Sequence, residues 1–234
     1  MSLLNHSNDA KTVKGEKKGY LTGIMYLAPS NESAVINTCP MASKGCRMAC
    51  LFTAGRGGFN SVRQARINKT IRFARDRENF MNELARDIIK LAETARKRKM
   101  TPCVRLNGTS DIAWESQPVG DKANLMEAFP AMQFYDYTAI PKRAEAWAEG
   151  KLPSNYHVTF SRKENNQPAV EKVLEAGGNV SVVFAGELPE TWQGKPVING
   201  DESDLRFTDP KGVIVGLKAK GKGKKDTSGF VVAA

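Results

Sequence analysis

Three cysteines, Cys39, Cys46 and Cys50, fall within twelve residues of the stretch "NTCPMASKGCRMACLFTAGRGG", and a fourth, Cys103, lies far downstream. Thiols so close together can form a disulfide, hold zinc or carry an iron–sulfur cluster. The lysine-rich start of the chain has only a two-leucine apolar patch, so no secretory leader is expected and a cytoplasmic setting follows. There, thiols stay reduced, and clustered cysteines more often bind metal or do chemistry than form structural disulfides.

Cys46 and Cys50 are i and i+4, a spacing that puts both thiols on one face of a helix. Pro40 suits the first turn of that helix, and Cys39 can fold back toward the other two. Cys103 is only the third residue of an apolar run, "TPCVRLNG". At roughly 3.3 Å per residue it sits well below that strand's end, so it reads as a buried small hydrophobe. Of the two histidines, His6 is in the polar start and His157 reads as a core residue. A closed zinc site wants four protein ligands, usually paired two to four residues apart, and is the runner-up. Three thiolates with one open iron suit a [4Fe–4S] cluster, the leading reading. Three unliganded thiols remain a third.

The elements that must position these groups alternate. "YLTGIMYLAP" reads as a first strand, with the three-cysteine loop directly after it. Two long helices follow, one with Val62, Ala65, Ile67 and Ile71 near helical spacing, the other with Phe80, Leu84, Ile88, Leu91 and Ala92 on one stripe. Strands over 101–108, 133–139, 155–162 and 179–186 then alternate with helices, and "KPVING", "GVIVGLKA" and "FVV" add short strands. This predicts an α/β fold, a partial or full parallel barrel of about six strands. Residues 1–18 read as a flexible polar arm and 19–234 as a single barrel-like domain.

In such folds the working residues lie at the carboxyl ends of strands. That rule selects Asn107, Thr109 and Asp111 after one strand, Asp136 and Tyr137 on the next, and Ser161 and Arg162 on a third. Asp111, Asp136 and Tyr137 are the expected catalytic groups, the carboxyls as acid/base or as partners of a ligand amine. Asn107, Thr109, Ser161 and Arg162 are the expected cofactor-binding groups, with Arg162 suited to a carboxylate or phosphate. Each of these residue types also serves turns and caps, which is the bland alternative.

The formal net charge is +10, with 41% hydrophobic and 26% charged residues. That composition is ordinary for a globular protein, and no apolar run approaches the roughly 18 residues of a membrane span. The charge raises DNA, RNA or a phosphate-bearing ligand as partners. Arg56, Arg63, Arg66, Lys69, Arg72, Arg75 and the loop "KAKGKGKK" would carry that binding. The oligomeric state is not legible.

The segments "TCPMASKGCRMACLFTAGRGG", "RLNGTSDIAWE", "FYDYTAIPKR", "NYHVTFSR" and "INGDESDLRFTDPKGVIVGLKAKGKGKKDTSGFVV" resemble a bacteriophage and prophage family related to the gene product 88 proteins. The resemblance covers nearly the whole chain. It implies a phage context, with the cytoplasm of an infected bacterium as the setting, and no particular chemistry. A weaker resemblance is to the radical SAM enzymes. These are partial barrels in which three cysteines after the first strand hold a [4Fe–4S] cluster that binds S-adenosylmethionine. Position and count match; the usual CxxxCxxC spacing and a glycine-rich segment after the second strand do not. A host-directed interaction protein without chemistry is the remaining class.

Overall fold

A pair of leucines too short to register as a pattern opens the fold. In the computed structural model, which describes residues 2–6, 10–53 and 55–233, Leu3 and Leu4 are buried. They belong to strand β1 (Leu4–Asn5) and its approach, and helix α1 (Ala10–Glu16) follows. The segment read as a flexible arm therefore contributes core. Leu3 N–H donates to the buried Asp87 carboxylate at 2.6 Å, and the Ser2 hydroxyl reaches the same oxygen at 2.8 Å.

The remaining elements, in chain order, are β2 (Tyr20–Met25), α2 (Lys44–Met48), α3 (Asn60–Arg75), α4 (Arg77–Lys97), β3 (Thr101–Arg105), α5 (Leu125–Ala128), β4 (Gln133–Thr138) and α6 (Pro141–Ala148). Then come β5 (Tyr156–Ser161), α7 (Gln167–Glu175), β6 (Val180–Phe184), β7 (Thr191–Trp192), β8 (Lys195–Asn199), β9 (Ile214–Lys218) and β10 (Val231–Val232). The alternation expected from the sequence is present, with strands and helices close to their predicted places.

The strands form one ten-stranded sheet in the order β1-β2-β3-β4-β5-β6-β9-β8-β7, with β10 pairing β6 off that path. Along that path the pairings from β2 through β8 are parallel, and among the described strands the edge strands β1 and β7 pair antiparallel. Among the described residues the path ends at β1 and β7 with no pairing between them. The sheet is open, so the fully closed barrel that the sequence allowed does not form. Two antiparallel edge strands cap the parallel run where a closing pairing would have to join.

Two ladders are short. β3 and β4 pair only at Cys103↔Gln133 and Val104↔Phe134. β5 and β6 pair only at Phe160↔Val180 and Ser161↔Ser181, after which β10 takes up Val183 and Phe184 of β6. β6 therefore runs on past the end of β5, with β10 beside it.

The two faces of the sheet differ in kind. Leu21, Val104, Phe134, Val158 and Phe160 lie on the face that packs against the helices, in clusters with Phe80, Leu84, Ile88, Val170 and Val173. α4 supplies much of this cover through the apolar stripe read from the sequence. The other face carries Cys103 and Tyr135, plugged by Leu205 and Phe207. The Phe207 ring meets Tyr20 at 5.3 Å and Tyr135 at 5.4 Å. Above that plug the same face is hollow.

Candidate functional site

The hollow is a cavity of about 1410 Å³ at the carboxyl ends of the parallel strands. Cys39, Cys46 and Cys50 all line it. Their loop is held from three sides. Thr38 donates its hydroxyl to Ala28 O at 2.6 Å and its carbonyl accepts from Asp111 N–H at 2.7 Å. Cys39 Sγ then lies 3.7 Å from Thr109 O. Ser43 caps α2, its Oγ accepting from Cys46 N–H at 3.2 Å and donating to Glu164 Oε2 at 2.7 Å. Glu164 Oε1 accepts from Gly45 N–H at 2.9 Å, and the Lys163 ammonium donates to Met41 O.

The helix is shorter than the cysteine spacing suggested. Pro40 precedes it, Cys46 is inside it, and Cys50 lies beyond its last residue, Met48. The loop, rather than a helix face, brings the thiols to one cavity. Burial pushes the Cys46 thiol up to about 12, and the nearby Cys50 and Cys39 add to the rise. Burial also raises Cys39 and Cys50, opposed by hydrogen bonds from the Ser30 and Phe52 backbones respectively. Among the described residues no three Cys, His, Asp or Glu side chains gather tightly enough around one point to hold a metal ion. All four cysteines are free thiols. Cys103 is fully buried, 3.3 Å from the Thr22 hydroxyl, and does not line the cavity. His157 is buried against Trp147, ring centroids 4.4 Å apart, and burial lowers it to about 4.

Of the strand-end residues, Asn107, Thr109, Asp111, Tyr137, Ser161 and Arg162 line the cavity and Asp136 does not. The reason is strand parity: adjacent residues point to opposite faces, so Asp136 and Tyr137 cannot share one. Asp136 is fully buried on the helix-covered face. Its carboxyl accepts from Asn107 N–H at 2.6 Å and from Tyr156 OH at 2.8 Å. It takes over the backbone donor that the short β3–β4 ladder leaves behind. Burial raises its pKa to about 7, against the Asn107 hydrogen bond and the fields of Arg105 and Arg143.

Asn107 and Asp111 are also spoken for. Asn107 Oδ1 accepts from Ser110 Oγ, Ile112 N and Trp114 Nε1 at 2.9, 3.0 and 2.9 Å, and its Nδ2 donates to Ile112 O at 2.9 Å. That pattern organises the loop after β3. Asp111 accepts from Thr138 Oγ1, Ala139 N and Arg143 Nη1, each at 2.8 Å. Burial raises its pKa and Arg143 opposes the rise. Among the described residues Tyr137 has no such anchoring bond; Arg105 lies 4.7 Å over its ring, and burial pushes its hydroxyl to about 12. Thr109 Oγ1 donates to Leu27 O at 2.5 Å. Ser161 Oγ lies 3.4 Å from Ser181 Oγ. Arg162 Nη1 donates to Gly229 O and, at 3.0 Å, to Phe230 O, which ties down the approach to β10.

Reasoning from strand ends missed four groups. Lys163 and Glu164 stand one and two residues past Arg162 and reach the cysteine loop, a signal available only from counting further along the same turn. Arg105 and Asp204 form a buried pair, Nη1 to both carboxylate oxygens at 2.8 and 2.9 Å, and both line the cavity. Their separation of 99 residues hides the pair from the sequence.

The basic helix residues are largely engaged within the chain. Arg63 pairs with Glu32 at 3.6 Å and Arg72 with Glu83, Arg66 lies 4.7 Å over the Tyr26 ring, and the Lys69 ammonium donates to Leu3 O at 2.9 Å. The "KAKGKGKK" segment forms a 3-10 turn over Gly221–Lys225. No helix is long and apolar enough to cross a membrane among the described residues.

No curated protein and no solved structure matches this chain. The gene product 88 family model matches residues 2–234, nearly the whole sequence, and the chain belongs to that family.

Proposed function

We propose that this is an iron–sulfur protein in which Cys39, Cys46 and Cys50 hold a [4Fe–4S] cluster with one iron open to the cavity, working as a radical-SAM-like enzyme on a partial barrel. The observation that carries the reading is that three thiols, and not Cys103, line one cavity at the carboxyl ends of parallel strands. A closed zinc site takes four protein ligands, and only three of the four cysteines line the cavity. A cubane places each thiolate on a separate iron, which suits three ligands spread along a loop.

When bound, such a cluster supplies one-electron chemistry at its open iron. The chain's own residues then have distinct tasks. Thr38, Ser43, Lys163 and Glu164 fix the loop. Asp111 holds Thr38 through its backbone N–H, and so steadies Cys39. Tyr137, Ser161 and Arg162 face the space where S-adenosylmethionine or another ligand would sit. Asp136 supports the site through Asn107 rather than touching a ligand.

The test is anaerobic purification followed by iron and sulfide analysis, visible absorption, and EPR of the reduced protein with and without S-adenosylmethionine. Four irons per chain, lost on replacing any of the three cysteines by alanine and kept in Cys103→Ala, is the expected result. Colourless protein after reconstitution, or stoichiometric zinc, overturns the cluster. An EPR signal indifferent to S-adenosylmethionine removes the radical-SAM-like part alone.

A further inference from the structure

Lys163 is only 4% exposed, yet among the described residues it makes no ion pair. Its ammonium donates to a single acceptor among the described residues, the carbonyl of Met41, although it carries three N–H donors. Lysines are seldom buried unless paired, because an ammonium removed from water needs a compensating charge. Lys163 lines the cavity.

The surroundings reinforce the imbalance. Eight lysines and arginines line the cavity against four aspartates and glutamates. Each of those four acids already has a cationic partner: Asp111 with Arg143, Asp204 with Arg105, Asp201 with Lys220 and Glu32 with Arg63. Of the lining cations, Arg105, Lys220 and Lys218 are in turn paired, with Asp204, Asp201 and Glu187, whereas Lys163 forms no ion pair among the described residues. A cleft whose lining is net positive focuses its field on an incoming anion. Ser161, the last residue of β5, and Ser181, opposite it near the start of β6, also line the cavity with their hydroxyls 3.4 Å apart. The volume, about 1410 Å³, exceeds the 300–1,000 Å³ usual for a small-molecule site, and the Tyr137 and Phe230 rings also line it.

We propose that the cavity binds a phosphate-bearing small molecule of nucleotide size, with its phosphate on Lys163 and the Ser161 hydroxyl. Lysine serves such sites as a point charge, and a buried one contributes more than a solvated one. The site does not depend on the cluster, so it is tested on metal-free, full-length protein.

The probes are inorganic pyrophosphate and adenosine monophosphate, with adenosine as the uncharged control, titrated calorimetrically at constant ionic strength. The expected result is that pyrophosphate and the nucleotide compete, while adenosine binds at least about tenfold more weakly, the loss of one charge-assisted contact. Lys163→Met weakens pyrophosphate by at least about tenfold and Lys163→Arg retains it. Should Lys163→Met fail to fold, the comparison of nucleotide and adenosine on the wild-type chain decides alone. Equal binding of nucleotide and adenosine, no binding of pyrophosphate, or unchanged binding by a folded Lys163→Met overturns the proposal. So does binding of a single-stranded oligonucleotide without pyrophosphate, which would point to an outer nucleic-acid surface. A Lys163→Met protein that loses reconstituted iron but keeps pyrophosphate also overturns it, and assigns the ammonium to the cluster's charge.

Discussion

Replacing Arg143 by methionine tests the reading that Asp111 belongs to a structural network. Arg143 is 6% exposed. Its Nε and Nη2 reach the two oxygens of Glu115 at 2.7 and 2.9 Å, Nη1 reaches Asp111 at 2.8 Å, and Nη2 donates to Tyr156 OH at 2.8 Å. Methionine keeps most of the volume and removes every donor. Two carboxylates are then left facing each other without their cation. Breaking a buried ion pair from one side costs roughly 3–5 kcal/mol. For a chain of this size each kcal/mol moves Tm by about 2–4 °C, so a fall of about 6–20 °C is expected. Urea unfolding followed through the fluorescence of the buried Trp114 and of Trp147, partly buried against the same core, measures the same quantity, with the midpoint shifting and the slope unchanged. Adding Asp111→Asn removes one of the stranded charges, so the double variant should be less destabilised than the two single losses summed. Because Asp111 N–H holds the carbonyl beside Cys39, iron loading should fall too. A loss below about 1 kcal/mol, or strict additivity, would refute the network and return Asp111 to the pool of ligand-facing acids.

Three further outcomes follow from the same geometry. Asp136 has a folded pKa of about 7 against an ordinary 3.8, so its contribution to stability is full below the ordinary value and declines as pH rises toward 7. The decline is at most about 1.4 kcal/mol per pH unit, and subtracting the profile of Asp136→Asn from wild type should isolate it; an identical pair of profiles from pH 4 to 8 contradicts it. A methyl group at Gly45 would meet Ser228 Oγ at 2.2 Å, Phe230 Cβ at 2.6 Å and Glu164 Oε2 at 2.9 Å. Gly45→Ala should therefore cost about 1–3 kcal/mol and loosen α2, with faster alkylation of Cys46 by iodoacetamide as the readout. Cys103→Ala should cost roughly 1–3 kcal/mol, as ordinary core changes do, yet leave reconstituted iron content untouched.

Much of the scaffold was readable because it repeats. The stripe Phe80, Leu84, Ile88, Leu91 has one solution at helical period, and it forms α4 as expected. The apolar runs became parallel strands for the same reason. The first residues were misread because Leu3 and Leu4 are too few to show a period, and only an edge pairing with β2 buries them. Whether the sheet would close was likewise out of reach, since pairing between the first and last strands is a contact across the whole chain.

At the site the division falls between spacing and partnership. The local order of residues already placed Cys39, Cys46 and Cys50 after a strand, kept Cys103 low in its own, and marked Tyr137, Ser161 and Arg162 as strand ends. Those are short-range properties, set by the rise of the strand and the turn that follows it. Partnership was decided by the fold. Strand parity turned Asp136 away from the cavity, Arg143 tied up Asp111 from 32 residues off, and Asp204 neutralised Arg105 from 99. Lys163, buried beside the cysteine loop with no ion pair among the described residues, became conspicuous only when the other charges had found theirs. A charge is legible from its residue type, but its compensation depends on what the chain brings within a few ångströms, and that is a property of the tertiary structure alone.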